Sequence, residues 1–578
     1  MSLIRFCEGY YHAPFGQIAI NAIPPLLRNA TRASQAPQKT TSAHFAKKNS
    51  AVICQIRITP AGLEAIATLP IRSVAQRAML QCLASEVMLE SVLRQRHERA
   101  GMTLKKLLEK SWVSVEKFDL GKTPESTVKT PTTKSHRPIY EGPLLNVEQQ
   151  RAVDSITAAQ GKYAAFLLEG ITGSGKTEVY LRAIAEALNR GKQALVLVPE
   201  INLTPAFLKH VHARFPNHQI APAHSGMAAV PRLTAWREAQ DGIADIVVGT
   251  RLAVFTPMPR LGLIVVDEEH DQSFKQQEGV RYSARDLAVF RASEAKCPIV
   301  LGSATPSTET LDNAVRSRFT RLTLSQRAVA NAELPRVNFI HLDSEKAPDG
   351  LTQMLIRAID EVIARGEQAM VFINRRGFAP ALVCASCAWM PECKRCSARM
   401  VFHRAVNKIK CHHCGAESRA PSACVDCGST DLHPAVQGRE RIEIALQAAL
   451  PNARIARVDR DSTRRRGSAE KIFSAAANGE IDILVGTQML AKGHDFPKLT
   501  LVGVVNADGA VFSADFRAAE RMAQQIMQVA GRAGRADLAG RVLIQTRFPE
   551  HPVYQAVASH NYTEFVDAAL AERRIMHL

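Results

Sequence analysis

With 578 residues, 46% of them hydrophobic and 22% charged, the chain has room for three to five domains of ordinary globular composition. No apolar run reaches about 18 residues, which excludes a membrane-spanning helix, and MSLIRFCEGYYHAPFGQIAI lacks the basic head, apolar core and cleavage site of an export signal, so the cytoplasm is the expected location. The formal net charge of +18 favours a polyanionic partner, most simply nucleic acid, with a solvated basic surface as the competing reading.

Taken in chain order, residues 28–50 are small and polar and predict a linker. Residues 51–118 follow as a compact segment. Its stretch SVAQRAMLQCLASEVMLESVL repeats apolar residues such as Leu80, Leu83 and Val87 at spacings of three and four, and GMTLKKLLEKSWVSVEKF predicts a helix followed by a short strand. A helix-rich unit of this size reads equally as a winged-helix DNA binder or as a spacer. Residues 119–143, rich in Thr, Pro, Lys and Gly, predict a second linker.

From 144 to 335 the buried-strand candidates AAFLLEG, QALVLVPE, DIVVGT, LGLIVVDEEH and PIVLGSAT alternate with helical segments. That pattern predicts an α/β lobe whose parallel sheet is covered on both faces. Residues 336–380 and 435–578 repeat it with QAMVFIN, DILVGT, LTLVGVVNAD and GRVLIQT. The lobes echo each other, NRGKQALVLVPE against ARGEQAMVFINRR and ADIVVGTRLA against IDILVGTQMLA. Gln193 and Asp245 lie 52 residues apart, but their counterparts Gln368 and Asp482 lie 114 apart. The second lobe therefore carries an insertion, placed at 381–434.

The motif GITGSGKT comprises Gly170, Ile171, Thr172, Gly173, Ser174, Gly175, Lys176 and Thr177. It follows an apolar strand and opens a helix, the context of a phosphate-binding loop. Backbone N–H groups and the helix N-terminus would cradle phosphates, Lys176 would reach the β- and γ-phosphates, and Thr177 would hold Mg²⁺. In LGLIVVDEEHD, Asp267 and Glu268 stand at the C-terminal end of a buried strand, where ligands sit in parallel sheets. Asp267 would complete the Mg²⁺ shell and Glu268 would orient or deprotonate the attacking water. The segment QQIMQVAGRAGRAD supplies Gln528, Arg532 and Arg535, and one of its arginines is a candidate finger for the charge developed in phosphoryl transfer.

Eight of the twelve cysteines fall in four C-x-x-C pairs separated by 5, 14 and 9 residues. They suffice for two tetrahedral Cys₄ zinc sites. The gap of 14 is near zinc-ribbon spacing, which pairs Cys393 and Cys396 with Cys411 and Cys414. Cys384 and Cys387 then join Cys424 and Cys427, so one site is nested inside the other. Redox pairs are the alternative reading, and His403, His412 and His413 are possible substitute ligands. Cys7, Cys54, Cys82 and Cys297 stand alone as packing residues.

With these residues placed, the chain resembles superfamily 2 helicases, and among them the PriA-type bacterial replication restart helicases (primosomal protein N′). The resemblance covers nearly the whole chain, through LNVEQ, GITGSGKTEVYL, VPEINLTP, GTRLAVFTP, DEEHDQSFKQQEGVRYSARDLA, GSATPSTETL, NRRGFAP, the eight cysteines, GTQMLAKGHDFP, DGAVFSADFRAAER and QVAGRAGRA. It implies two tandem RecA-like lobes and an ATP-dependent 3′→5′ DNA helicase that acts at stalled or abandoned forks and initiates replication restart. It also implies contacts with forked DNA, primosome proteins, the loader of the replicative helicase and single-stranded DNA-binding protein, with ATP, Mg²⁺ and two Zn²⁺ as ligands. By motif match Gln149 would contact adenine, Arg535 would be the finger with Arg532 beside it, and Thr250, Arg251, Thr487 and Lys492 would track DNA. QSFKQQEGVRY matches the aromatic-rich loop that couples DNA binding to hydrolysis, with Phe274, Lys275 and Tyr282 as its DNA-coupling residues and Val280 where an aromatic is usual. Residues 1–27 match the end of the family's N-terminal DNA-binding domain, and the chain stops at AERRIMHL where the family continues. The competing functional reading is a fork-binding and docking scaffold that unwinds little.

Overall fold

The computed structural model describes the chain except for residues 29–51, 70–72, 86–87, 90–99, 120–141, 200–203, 328–333, 346, 375–381, 385, 388, 397–399, 404–406, 412–413, 435–438, 459–467, 488, 491–495, 512–514, 535–537 and 576–578. Most of both predicted linkers lies outside the described residues. Residues 32–136 form one unit and the remaining chain a second.

The smaller unit folds around an antiparallel sheet of β1 (Val52–Ile58), β2 (Met88–Leu89) and β3 (Val113–Asp119) in the order β2–β1–β3. Helices Pro60–Thr68, Val74–Ser85 and Ala100–Glu109 complete it. Pro60 can open the first helix because that position needs no N–H partner, and the Thr59 hydroxyl caps it by accepting from Gly62 N at 3.2 Å. Leu80 and Leu83 are buried with Ile56, Met79, Leu104, Leu107 and Val113 and so face the core, while Val87 lies outside the described residues.

In the larger unit, the first lobe is a seven-stranded sheet whose strands all run parallel. Its strands are β4 (Ala164–Gly170), β5 (Gln193–Leu197), β6 (Ile220–Ala223), β7 (Ile246–Gly249), β8 (Leu261–Asp267), β9 (Pro298–Ser303) and β10 (Thr320–Leu324), ordered β10–β4–β9–β8–β5–β7–β6. The central strands are apolar at nearly every position because helices cover both faces. Residues 2–28 form helices Ser2–Tyr11, Phe15–Ala22 and Pro25–Arg28 that pack on this lobe. The Phe6 ring stacks on Phe290 at 4.0 Å, and Cys7 and Ile18 are fully buried.

The second lobe begins with β11 (Arg336–His341) and β12 (Gln368–Ile373). An insertion follows, made of β13 (Leu382–Cys384), β14 (Val401–His403), β15 (Lys408–Lys410), β16 (Glu417–Arg419) and β17 (Leu432–Pro434), paired as β13–β17 and β14–β15–β16, all antiparallel. The sheet resumes with β18 (Ile455–Val458), β19 (Ile483–Gly486), β20 (Leu499–Val505) and β21 (Arg541–Thr546), in the order β11–β21–β20–β12–β19–β18. All its pairings are parallel.

This order matches β4–β9–β8–β5–β7–β6 of the first lobe strand for strand, and the likeness reaches single side chains. Gln193 Nε2 donates to Ala239 O at 3.3 Å and Ala244 O at 2.7 Å, while Gln368 Nε2 donates to Ala476 O at 2.8 Å and Ile481 O at 2.6 Å. Both glutamines are buried, and each opens a strand with a register shift against its neighbour. Gly249 and Gly486 end equivalent strands where a Cβ would lie 2.2 Å from Ala223 O and 2.4 Å from Val458 O. The insertion occupies the β12-to-helix connection, which in the first lobe is the short segment after β5. Among the described residues no helix is long and apolar enough to cross a membrane.

Candidate functional site

The phosphate-binding loop leaves β4 at Gly170 and ends at helix Lys176–Asn189. Gly173 and Gly175 sit at φ of 83° and 81°, a region costly for a residue with a Cβ, and a Cβ on Gly170 would lie 2.4 Å from Ser174 Oγ. Lys176 Nζ stays over the loop, 2.7 Å from Gly170 O. Gln149, predicted to meet adenine, is buried on the same loop. Its Nε2 donates to Ser174 O at 2.9 Å and its Oε1 accepts from Asn146 N at 3.0 Å, half of a capping box that starts helix Val147–Ala158.

Asp267 ends β8 facing this loop and accepts from Tyr180 OH at 3.1 Å. Desolvation first, then the neighbouring Glu268, push its carboxyl up to about 7, while Lys176 opposes the shift. Glu268 adopts φ 48°, at a cost of about 1–2 kcal/mol for a non-glycine residue. The turn sends consecutive carboxylates in different directions. Glu268 Oε2 accepts from Gln528 Nε2 of the second lobe at 3.2 Å. Glu269 is buried instead, where it accepts from Ser307 N (2.6 Å), Thr310 Oγ1 (2.9 Å) and Arg285 Nη1 (3.1 Å). His270 bridges Ser303 Oγ at 2.7 Å and Gln528 Nε2 at 2.9 Å. Because the Gln528 amide nitrogen only donates, His270 Nε2 accepts and its proton sits on Nδ1, directed at Ser303.

Helix Ala518–Ala530 supplies the second lobe's half of the site. Glu520, Gln524 and Gln528 are spaced by four and share one face. Glu520 Oε1 accepts from Thr308 N at 3.0 Å, and Gln524 Nε2 donates to Tyr562 OH at 2.9 Å and Thr305 O at 3.4 Å. The helix ends at Gly531, where a Cβ would fall 2.7 Å from Thr172 Oγ1 of the phosphate-binding loop. Arg532 is the next residue and is half-buried. Arg535 lies outside the described residues.

The DNA-coupling candidates divide. Arg251 Nη1 donates to Ser273 O at 2.9 Å and Lys275 O at 3.2 Å, which pins the 272–283 segment to the turn that follows β7. Thr250 is buried at that turn, Thr487 is half-buried after β19, and Lys492 lies outside the described residues. Phe274 and Tyr282 are the residues expected to stack on DNA. They are 2% and 1% exposed, with Tyr282 edge-on to Phe255 at 5.1 Å, so both rings belong to the lobe's core. Val280 is buried among them. Aromatic count in a loop does not report which way a ring faces.

The eight paired thiols form two groups, Cys384, Cys387, Cys424 and Cys427, and Cys393, Cys396, Cys411 and Cys414, with all sulfurs in each group within 4.8 Å. Nearest sulfurs are 3.4–3.5 Å apart. That is far beyond a disulfide bond of about 2.05 Å and near the edge of about 3.8 Å of a tetrahedron with metal–sulfur bonds of about 2.3 Å. The β13–β17 pair carries Cys384 toward Cys427, and the β14–β15 hairpin carries Cys411 toward Cys396, so one group is nested inside the other along the chain. A small apolar core of Leu382, Met400, Ile409 and Ala420 packs with Cys393, Cys396 and Cys411 of the second group. Cys7 and Cys297 are buried and Cys82 half-buried, whereas the side chain of Cys54 is not described.

A nucleotide loop on one lobe, met by a glutamine- and arginine-bearing helix of a second similar lobe, defines a superfamily 2 helicase. Residues 146–314 match the DEAD/DEAH box helicase family and 435–537 the helicase conserved C-terminal domain. Residues 393–419 match the PriA DNA helicase Cys-rich region. The replication restart protein PriA of Haemophilus influenzae is 39% identical over 582 residues, spanning 100% of this chain and 76% of that protein. Those of Bacillus subtilis and Treponema pallidum are 40% and 43% identical over 78% and 75% of this chain, which spans 59% and 65% of their lengths. The chain belongs to the PriA replication restart helicase family.

Proposed function

We propose that the chain is an ATP-driven 3′→5′ DNA helicase that acts at stalled or abandoned forks and initiates replication restart and primosome assembly. The observation that carries this reading is the hydrogen bond of Gln528 to Glu268, because it ties the carboxylate suited to hydrolysis to the other lobe. A motor needs such a link, since turnover must change how the two lobes sit on DNA.

In this reading Lys176 meets the β- and γ-phosphates, and Glu268 orients the attacking water and takes its proton. Arg532 and Arg535 stabilise charge on the transferred phosphoryl group. The Thr177 hydroxyl and the Asp267 carboxylate are hard oxygen donors beside the loop, fit to hold Mg²⁺, which when bound neutralises phosphate charge. Gln149 buttresses Ser174 and contacts adenine. Thr250, Arg251, Lys275, Thr487 and Lys492 follow the DNA backbone. The thiolate sets fit two structural Zn²⁺, whose closed coordination makes the insertion a rigid projection for strand separation or docking. Residues 51–118 act as a winged-helix-like DNA module. Partners by family are forked DNA, primosome proteins, the loader and single-stranded DNA-binding protein, in the cytoplasm. DNA-stimulated ATP hydrolysis tests the reading. Wild type is expected to be stimulated and Lys176→Ala to lose hydrolysis, while undiminished hydrolysis in the variant refutes the assigned site.

A further inference from the structure

The 272–283 segment presents no exposed aromatic ring, because Phe274 and Tyr282 face the core and Val280 joins them. An exposed ring does stand on the second lobe. Phe516 is 69% exposed, and two guanidinium groups flank it, those of Arg517 and Arg573, each 5.3 Å from the ring centroid. A single exposed phenylalanine means little by itself. This one is held.

Arg573 Nη2 donates to Phe516 O at 3.3 Å and lies 3.7 Å from Glu520 Oε2. Arg517 pairs with Glu309 of the first lobe. Arg521 pairs with Asp515, the residue that also accepts from Arg517 N at 3.0 Å. These carboxylates fix the arginines around the ring. Lys275 stands close enough to Arg517 that, after its own partial burial, that charge helps push its ammonium below the usual range.

We propose that Phe516, flanked by Arg517 and Arg573, is a stacking platform for one base of single-stranded DNA. Bases stack on aromatic faces and on guanidinium planes, and the arginines also answer the phosphates, so the chemistry suits a nucleic-acid base in any sequence. The platform sits two residues before helix Ala518–Ala530, whose far end carries Gln528 to Glu268 about 18 Å away at about 1.5 Å per residue. Base occupancy at Phe516 thus bears on the same helix that completes the nucleotide site. This inference rests on the DNA-helicase reading and names a contact for it.

The test uses the full chain with oligo-dT and with an abasic oligonucleotide of the same length. Phe516→Trp places a reporter in the platform, read against the wild-type background of three tryptophans. Its emission is expected to be quenched by oligo-dT and spared by the abasic strand. Phe516→Ala is expected to bind oligo-dT about tenfold more weakly than wild type, and the abasic strand equally well. Unquenched Phe516→Trp emission, or wild-type affinity of Phe516→Ala for oligo-dT, overturns the platform. Loss of a protein partner by Phe516→Ala with DNA affinity intact overturns it in favour of a protein-docking ring. Quenching needs no turnover, so it stands apart from the helicase reading, which is tested by DNA-stimulated hydrolysis and by strand separation.

Discussion

Replacing Gln528 by Ala removes two hydrogen bonds that cross between the lobes, at 3.2 Å to Glu268 and 2.9 Å to His270. The first is to a charged group, worth about 1.5–3 kcal/mol, and the second is neutral, worth about 1 kcal/mol. Both sit in a half-buried cleft where water replaces part of the loss, leaving about 2 kcal/mol. If the closed arrangement is the one that hydrolyses ATP, that energy appears in turnover, as a fall of about 30-fold in kcat. KM for ATP is expected to shift by less than about threefold, because neither bond touches the residues assigned to the phosphates. The assay is steady-state ATP hydrolysis at saturating single-stranded DNA. Gln528→Glu should be worse than Ala, since it sets a second carboxylate against Glu268. A kcat for Gln528→Ala within about twofold of wild type, or a glutamate variant milder than alanine, refutes the claim that this contact couples the lobes.

Other consequences follow from single side chains. Cys411→Ser should lower bound zinc from about two ions to about one by metal analysis, and adding Cys384→Ser should remove the other, while retention of two ions by either variant contradicts separate Cys₄ sites. Glu269→Ala leaves the buried Ser307 N–H without its acceptor and takes one carboxylate from Arg285, which keeps Asp286 and Ser307 Oγ; it should cost about 2 kcal/mol and lower the thermal transition of the first lobe, with Glu269→Gln losing less. An alanine variant that melts like wild type contradicts the network. Gly249→Ala and Gly486→Ala place a Cβ within 2.4 Å of backbone oxygens and should each cost about 1–3 kcal/mol in their own lobe, read by limited proteolysis or calorimetry. Unchanged melting contradicts the close approach.

The parts of the site legible in the sequence were those whose partners are local. GITGSGKT carries its own turn glycines and helix start, Asp267 and Glu268 end an apolar run, and the C-x-x-C pairs state their grouping through loop lengths. The duplication was legible because Gln193 and Gln368 begin matching strands, and their buried amides explain why glutamine stands where an apolar residue is the rule. What stayed hidden depends on distant chain segments. Glu269 stands beside two expected catalytic carboxylates, yet its role is set by Ser307 and Thr310, about forty residues on. Glu520 and Gln524 bond to Thr308 and Thr305, 212 and 219 residues away, and only their spacing of eight and four from Gln528 hinted at a shared face. Phe274 and Tyr282 show the converse, since a loop rich in aromatic rings can spend them on its own core.

In the proposed mechanism the two lobes convert ATP hydrolysis into directional strand separation. Unwinding of labelled duplexes bearing a 3′ or a 5′ single-stranded tail, by wild type and Lys176→Ala with ATP, tests it most directly. Wild type is expected to unwind from the 3′ tail in an ATP-dependent manner, and the variant not at all. Unwinding by Lys176→Ala equal to wild type, or tight DNA binding by wild type with no strand separation from either tail, would contradict it.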